Sequence, residues 1–338
     1  MESNTTASNN FLWTDVNWDA LRRLRARFLE FDETESVRAV GSADYWRSHS
    51  ELASYDFTFG ERIGWKWDTV IAELQTRGWV PPAGAVLDWG CGTGVAGRRV
   101  AAAWPEQVRG IQLWDRSRPA QNFALNRARE SFPTLPVQLA EPDRAPELLV
   151  ISHVLNELPG EALERLLAIA ESAQAVLWVE PGTAIVSRKL IAVRNRLLAR
   201  FSPVAPCTHS LACGMLTPGN ERHWCHHFAQ VPGYVFQDAG WGRFSKTLEI
   251  DLRSVPFSFL VLDRRVKSAA TPDSRLIGRP RHYKGFDKVL SCQADGVREL
   301  TLQKRDAPEL FKELKKDPGS LYRWEREGDM IRVGTKIF

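Results

Sequence analysis

The stretch Val86-Leu87-Asp88-Trp89-Gly90-Cys91-Gly92-Thr93-Gly94 constrains this chain more than any other. An apolar strand runs into a turn with glycine at every second position and then into residues of helix-forming composition. Backbone can therefore approach a ligand where any Cβ would clash. The same rhythm continues downstream: short apolar strands are expected over 85–88, 110–114, 148–152 and 175–179, with helices over 94–103 and 160–173 between them. Such alternation implies a parallel, doubly wound α/β sheet with right-handed crossovers. A nucleoside cofactor would lie at the glycine turn.

Two acids sharpen that expectation. Asp88 closes the first strand, and Asp115 ends the second after Ile111-Gln112-Leu113-Trp114, where a carboxylate is placed to bind ribose hydroxyls. The spacing is Gly-x-Gly-x-Gly rather than the Gly-x-Gly-x-x-Gly of nicotinamide sites. The combination resembles class I S-adenosylmethionine-dependent methyltransferases. That resemblance implies a cofactor site of Asp88, Gly90, Gly92, Gly94 and Asp115, and on the plain reading of the fourth strand Ser152 or His153 lines the pocket. A glycine turn kept only for tight strand–helix packing is the plainer alternative. The fourth strand ends Ser152-His153-Val154-Leu155-Asn156-Glu157-Leu158-Pro159, without the Asn/Asp-Pro-Pro-aromatic element that clamps base amino groups in many nucleic-acid methyltransferases. Cys91 lies in the cofactor loop, so no cysteine pair is available for attack on a pyrimidine. His153, Asn156 and Glu157 remain as acceptor-side candidates, and no catalytic residue is assigned; the plain reading starts the next helix at Asn156 and Glu157.

At 338 residues and 43% hydrophobic content, the chain has room for roughly two domains. Residues 1–10 read as a disordered polar lead. Residues 11–80 read as a helical cap: Trp18, Leu21, Leu24 and Phe28 recur at helical spacing, and six of the 13 tryptophans fall before residue 81. The methyltransferase-like domain is expected over 81–265, with a metal-binding insertion around 203–232 and a buried strand over 256–262, the last of the sheet. Residues 266–338 read as a small basic β-rich module, with strands over 288–293 and 297–303 and a helix around 309–315. No apolar run approaches the roughly 18 residues that span a bilayer, and no targeting pattern opens the chain, so a cytoplasmic protein is expected.

Four of the five cysteines, Cys207, Cys213, Cys225 and Cys292, lie in the C-terminal half beside His209, His223, His226 and His227. Their spacing lacks the Cys-x2-4-Cys knuckle of structural zinc. Iron-sulfur and zinc both remain open on composition, with scattered buried thiols as the plain alternative, and a histidine could replace one sulfur.

Ser152-His153-Val154-Leu155-Asn156-Glu157-Leu158-Pro159, Val179-Glu180-Pro181-Gly182-Thr183, Ala205-Pro206-Cys207-Thr208-His209, Trp224-Cys225-His226 and Arg279-Pro280-Arg281 resemble the methyltransferase-like small-ribosomal-subunit proteins of mitochondria and their bacterial relatives. The resemblance covers about residues 45–330. It implies a Rossmann-like methyltransferase domain that associates with small-subunit rRNA in ribosome assembly or translation. It also implies a [4Fe-4S] site onto which Cys207, Cys213, Cys225 and Cys292 map one by one. Cys213 lacks the proline expected after it, and the missing presequence points to the bacterial branch. An active rRNA methyltransferase is the rival reading. Radical chemistry is disfavoured, because it needs three closely spaced cysteines that leave one iron open.

A formal net charge of +4 is too small to argue for nucleic acid by itself, so local clusters must carry that case. Arg275, Arg279, Arg281, Lys284 and Lys288, with Tyr283 and Phe286 interleaved, combine phosphate-binding charge with stacking rings. They are the expected contacts to small-subunit rRNA. Arg188, Lys189, Arg194, Arg196 and Arg200 ride one helix and read as a solvated face.

Overall fold

The structure is a computed structural model that describes residues 11–33, 46–141, 145–267, 271–316 and 318–338. The polar lead expected over 1–10 lies outside the described residues. The helices, in chain order, are α1 (Trp18–Glu33), α2 (His49–Tyr55), α3 (Glu61–Thr76), α4 (Val95–Ala103), α5 (Arg118–Ser131), α6 (Gly160–Ser172), α7 (Ala184–Leu197), α8 (Ala239–Leu248) and α9 (Pro308–Lys316). The strands are β1 (Gly84–Trp89), β2 (Val108–Trp114), β3 (Val137–Leu139), β4 (Leu148–Ser152), β5 (Ala175–Pro181), β6 (Ser202–Ala205), β7 (His227–Phe228), β8 (Pro256–Asp263), β9 (Ser274–His282), β10 (Phe286–Gln293), β11 (Gly296–Gln303), β12 (Leu321–Glu327) and β13 (Met330–Lys336). The chain forms two compact units. One comprises residues 1–72, 80–179 and 229–255, the other residues 73–79, 180–228 and 256–338.

In the first unit the strands run β3-β2-β1-β4-β5, all parallel. Val86, Leu87, Asp88 and Trp89 of β1 are all buried, as a strand covered on both faces requires. Strand order reverses between β1 and β4. The crevice beyond their carboxyl ends is where open α/β sheets take ligands, and β1 delivers the glycine turn there. This is the Rossmann-like class I methyltransferase architecture. The N-terminal helices are tied to it by buried rings and charge: Trp65 and Trp67 of α3 are 1% and 0% exposed, and indole rings of this size bury roughly 150–250 Å² each. Asp56 accepts hydrogen bonds from Arg98 of α4 at 2.7 Å and from Arg127 of α5 at 3.2 Å. The sequence pattern missed α5 and β3, because Arg118-Pro119-Ala120-Gln121 opens a helix rich in polar residues and β3 is only three residues long.

In the second unit β8 pairs antiparallel with both β6 and β7, so the strand expected to end the sheet is flanked rather than terminal. The C-terminal segment closes into a five-stranded barrel, β10-β11-β13-β12-β9. Leu276, Val289, Leu300, Leu302, Tyr322, Trp324 and Ile331 fill it, and Leu310, Phe311 and Leu314 of α9 join that core. Short strands that alternate buried and exposed residues around a plug of aliphatic and aromatic side chains close a sheet without leaving edges.

Candidate functional site

The glycine turn adopts the backbone its residues imply. Gly90, Gly92 and Gly94 have φ of 69°, 53° and 79°, a region that costs other residues about 1–2 kcal/mol. The three differ in their surroundings. A Cβ on Gly90 would lie 2.7 Å from Val154 Cγ1 and one on Gly94 3.0 Å from Ala124 Cβ, whereas one on Gly92 would meet nothing within 4 Å. Gly90 and Gly94 are packing positions; Gly92 faces open space.

Both acids sit on this turn. Asp88 is fully buried, and its Oδ2 accepts the Gly97 N–H at 2.9 Å at the start of α4. Its Oδ1 is buried with no hydrogen-bond partner among the described residues. Burial pushes this carboxyl up to about 7 against the lowering influence of the Gly97 N–H. Asp115 accepts the Gly92 N–H through Oδ2 and the Ser117 N–H through Oδ1, each at 2.8 Å. The carboxylate thus stands at the open glycine. Trp89 and Trp114, opposite each other on β1 and β2, stack at 4.5 Å and support the turn from within.

At the end of β4 the backbone of His153 turns left-handed, with φ of 59°. The imidazole is held from both sides: Nε2 lies 2.8 Å from Lys66 Nζ, and Nδ1 lies 3.0 Å from Ser152 Oγ, which accepts the Trp67 indole N–H at 3.0 Å. Burial, with Lys66 and Arg62 adding to it, holds this histidine well below its ordinary value. A neutral ring that accepts from Lys66 through Nε2 must carry its proton on Nδ1. Lys66 was not expected; its place between two buried tryptophans of an amphipathic helix was the available signal. Burial also raises the Glu157 carboxyl to about 7, with Arg116 lowering it and Asp115 raising it.

The second unit gathers all four C-terminal cysteines. Cys213, Cys225 and Cys292 pack against one apolar cluster of Ile191, Met215, Ile277 and Val297. Cys207 is near enough for its charge to raise the thiols of Cys213, Cys225 and Cys292. Burial is the larger cause at each, and it takes Cys225 to about 12. Cys213 reaches this place because Gly214 lies flat on β11: a Cβ there would stand 2.5 Å from Val297 N, and Val297 is paired with Cys292. The Cys225 carbonyl accepts hydroxyl protons from Ser187 at 2.8 Å and Ser258 at 2.7 Å. Arg194 is no solvated cation. It is 3% exposed, Nε donates to Cys207 Sγ at 3.2 Å, and Nη2 donates to the His209 and Leu211 carbonyls at 3.0 Å each. Its spacing from Leu190 and Leu197 puts it on the apolar stripe of α7, a signal the run of charges concealed. Among the described residues, no three His, Cys, Asp or Glu are arranged to hold one metal ion. The donor set fits a thiolate-bound group in chemistry, with four sulfurs in one unit and an apolar cluster against three of them.

The basic segment divides. Arg275 is corrected from an RNA contact to a structural residue: it is 3% exposed, 2.5 Å from Glu73 Oε1, and lies over the Phe259 ring. Alternation along β9 places it on a stretch of the outer face that other side chains cover. Arg279, Arg281 and Lys284 are exposed and Lys288 is half-buried. Arg279 lies over the Phe228 ring at 4.1 Å, while Arg281 and Lys288 both pair with Glu299.

Solved structures with related folds include an O-methyltransferase family protein from Burkholderia thailandensis, 13% identical over 60% of this chain and 71% of that one at a TM-score of 0.41. A SAM-dependent methyltransferase from Aquifex aeolicus is 11% identical over 47% of this chain and 92% of that one at 0.35. The plantazolicin methyltransferase BpumL, solved with SAH, is 15% identical over 64% of this chain and 90% of that one at 0.35. No curated protein sequence matches. The family model described as mitochondrial small ribosomal subunit Rsm22 matches residues 69–327, which takes in the glycine turn, all four clustered cysteines and most of the barrel. The chain belongs to the Rsm22 family.

Proposed function

We propose that this protein binds S-adenosylmethionine at the glycine turn, holds a [4Fe-4S] cluster through Cys207, Cys213, Cys225 and Cys292, and associates with small-subunit rRNA in ribosome assembly or translation. The observation that carries the cofactor reading is Gly92, a left-handed glycine that faces open space with the Asp115 carboxylate on its N–H. Family membership supports the ribosomal partner. Cys213, Cys225 and Cys292 share one apolar cluster, and Cys207 is near enough for its charge to raise all three thiols, which supports a group held by the four sulfurs. Bound there, a cluster would cross-link the loops of Cys207, Cys213 and Cys225 to strand β10. Arg194 holds the first loop, Ser187 and Ser258 hold Cys225, and Gly214 seats Cys213. Arg279, Arg281, Lys284 and Lys288 supply charge for RNA phosphates.

The test is anaerobic purification with iron, sulfide and zinc analysis, followed by rRNA binding of Cys225→Ser. The expected result is iron and sulfide in the native protein and loss of iron and of affinity in the variant. Zinc without sulfide, or unchanged iron and affinity in the variant, overturns the cluster assignment.

Glu157 favours a second reading, active rRNA methylation: a carboxyl held near 7 beside the cofactor crevice is suited to general-base work. His153 speaks for binding alone, since both its ring nitrogens are engaged. Labelled S-adenosylmethionine incubated with immature small subunits separates the two, marking RNA only if methyl transfer occurs.

A further inference from the structure

We propose that the C-terminal barrel is a single-strand RNA clamp of the oligonucleotide-binding type, which seats an unpaired base on the Tyr283–Phe286 ring pair. The inference rests on the ribosomal reading above and adds which RNA structure is bound and where.

Topology comes first. Strands β9, β10 and β11 form an antiparallel meander, α9 follows the third strand, and β13 runs parallel to β11 between it and β12. β12 closes the ring against β9. A closed five-stranded barrel with strand order 1-2-3-5-4 and a helix between its third and fourth strands is the OB-fold arrangement. Such barrels bind oligonucleotides across the second and third strands and at the loop that joins the first two.

Fold alone does not assign a function, so the side chains on that face decide. Register puts Phe286 opposite Gln303, Lys288 opposite Thr301 and Arg281, and Leu290 opposite Glu299, all pointing out of the barrel. The far end of the same face, Cys292 opposite Val297, is covered by the cysteine cluster. Among the described residues, the end near the β9–β10 turn is the open one. There Tyr283, 45% exposed, lies parallel to Phe286 with ring centroids 4.5 Å apart and planes 10° apart. The turn is fixed by the Tyr283 N–H donating to the Phe286 carbonyl and by the Lys304 N–H donating to the Gly285 carbonyl. One ring face of this pair is already matched, and the exposed tyrosine continues the stack outward. Lys284 stands at the turn, with Arg281 and Lys288 one step along the strands. Bases in a duplex are already stacked, so a ring platform flanked by cations selects an unpaired strand. The β12–β13 loop adds no net charge, since Glu327 and Asp329 are matched by Arg332 and Arg298.

Glu299 holds both Arg281 and Lys288. A phosphate must compete with that carboxylate, which provides a gain-of-function test.

The experiment measures fluorescence anisotropy of the full-length protein with a labelled uridine dodecamer and with an RNA duplex of equal length, at low and moderate salt. The single strand is expected to bind at least tenfold more tightly. Tyr283→Ala should weaken it roughly 5- to 150-fold, the loss of one base–aromatic stack, while Tyr283→Phe stays near the native value. Glu299→Gln should strengthen it and steepen its salt dependence. Equal affinity for duplex and single strand, or an unchanged Tyr283→Ala, overturns the proposal. Cosedimentation with small ribosomal subunits separates the two levels: a protein that joins subunits but ignores the dodecamer sinks this inference alone, and one that binds the dodecamer but no subunit sinks the ribosomal reading.

Discussion

Arg194 donates from Nε to the sulfur of Cys207 at 3.2 Å and from Nη2 to the carbonyls of His209 and Leu211. One guanidinium thereby fixes the first cysteine and the loop that leads to the second. Removing it leaves buried acceptors unmet, at about 1.5–3 kcal/mol for each hydrogen bond to a charged group. Arg194→Ala is expected to lower both thermal stability and the iron retained through anaerobic purification, with Arg194→Lys intermediate because a lysine cannot reproduce the fork. Iron content equal to native in Arg194→Ala would show that the loop holds without it.

Gly90→Ala and Gly92→Ala carry similar backbone strain and differ in what they strike. Gly90→Ala adds a Cβ 2.7 Å from Val154, so it should destabilise the first unit by more than the roughly 1–2 kcal/mol of the left-handed conformation. Gly92→Ala adds a methyl to open space, so it should cost only that strain yet abolish measurable S-adenosylmethionine binding. Denaturant unfolding and calorimetric titration check the pair; a Gly92→Ala protein with native cofactor affinity would place the ligand elsewhere.

Asp115→Asn keeps the shape of the side chain but cannot accept from Gly92 and Ser117 with charge on both oxygens. A charged hydrogen bond to a ribose hydroxyl contributes about 1.5–3 kcal/mol, so cofactor affinity should fall by roughly ten- to a hundredfold. Equilibrium dialysis with labelled cofactor reads the change directly.

Asp88 links stability to pH. Its folded-state value of about 7 lies above the unfolded value of 3.8, so between those limits the folded chain binds more protons than the unfolded one. The contribution of this group to stability therefore falls as pH rises from about 4 to about 7 and is constant above. Asp88→Asn removes the ionisation, and its amide oxygen can still accept from Gly97. Melting temperature against pH should decline less steeply in the variant than in the native protein over that window; parallel curves would show Asp88 ionising normally.

Local chemistry made much of this architecture legible. The strands of the parallel sheet show as apolar runs because both their faces are buried, and the glycine turn shows because few residues tolerate its backbone. The barrel was legible only in part. Lys288 to Gln293 and Val297 to Gln303 read as two strands, but closure depends on β12 and β13, where Tyr322-Arg323-Trp324-Glu325-Arg326 has three charged residues to two aromatic ones. In the cysteine site the ligand candidates stand out by composition. Their supports do not: Arg194 looks like one of a row of surface cations, and Ser187 and Ser258 carry no signal until the chain brings α7 and β8 to Cys225. Arg275 misled for the converse reason, since its partner Glu73 lies 202 residues away.

The four clustered thiols are unevenly distributed in time as well as along the chain. Cys207, Cys213 and Cys225 leave the ribosome together, whereas Cys292 arrives with β10, on the order of seconds later at ordinary elongation rates. For that interval the nascent protein exposes an incomplete set of sulfurs and an unclosed barrel. A group that needs all four sulfurs can be installed only once Cys292 has emerged, which makes its insertion later than the synthesis of the three loops that carry the other sulfurs.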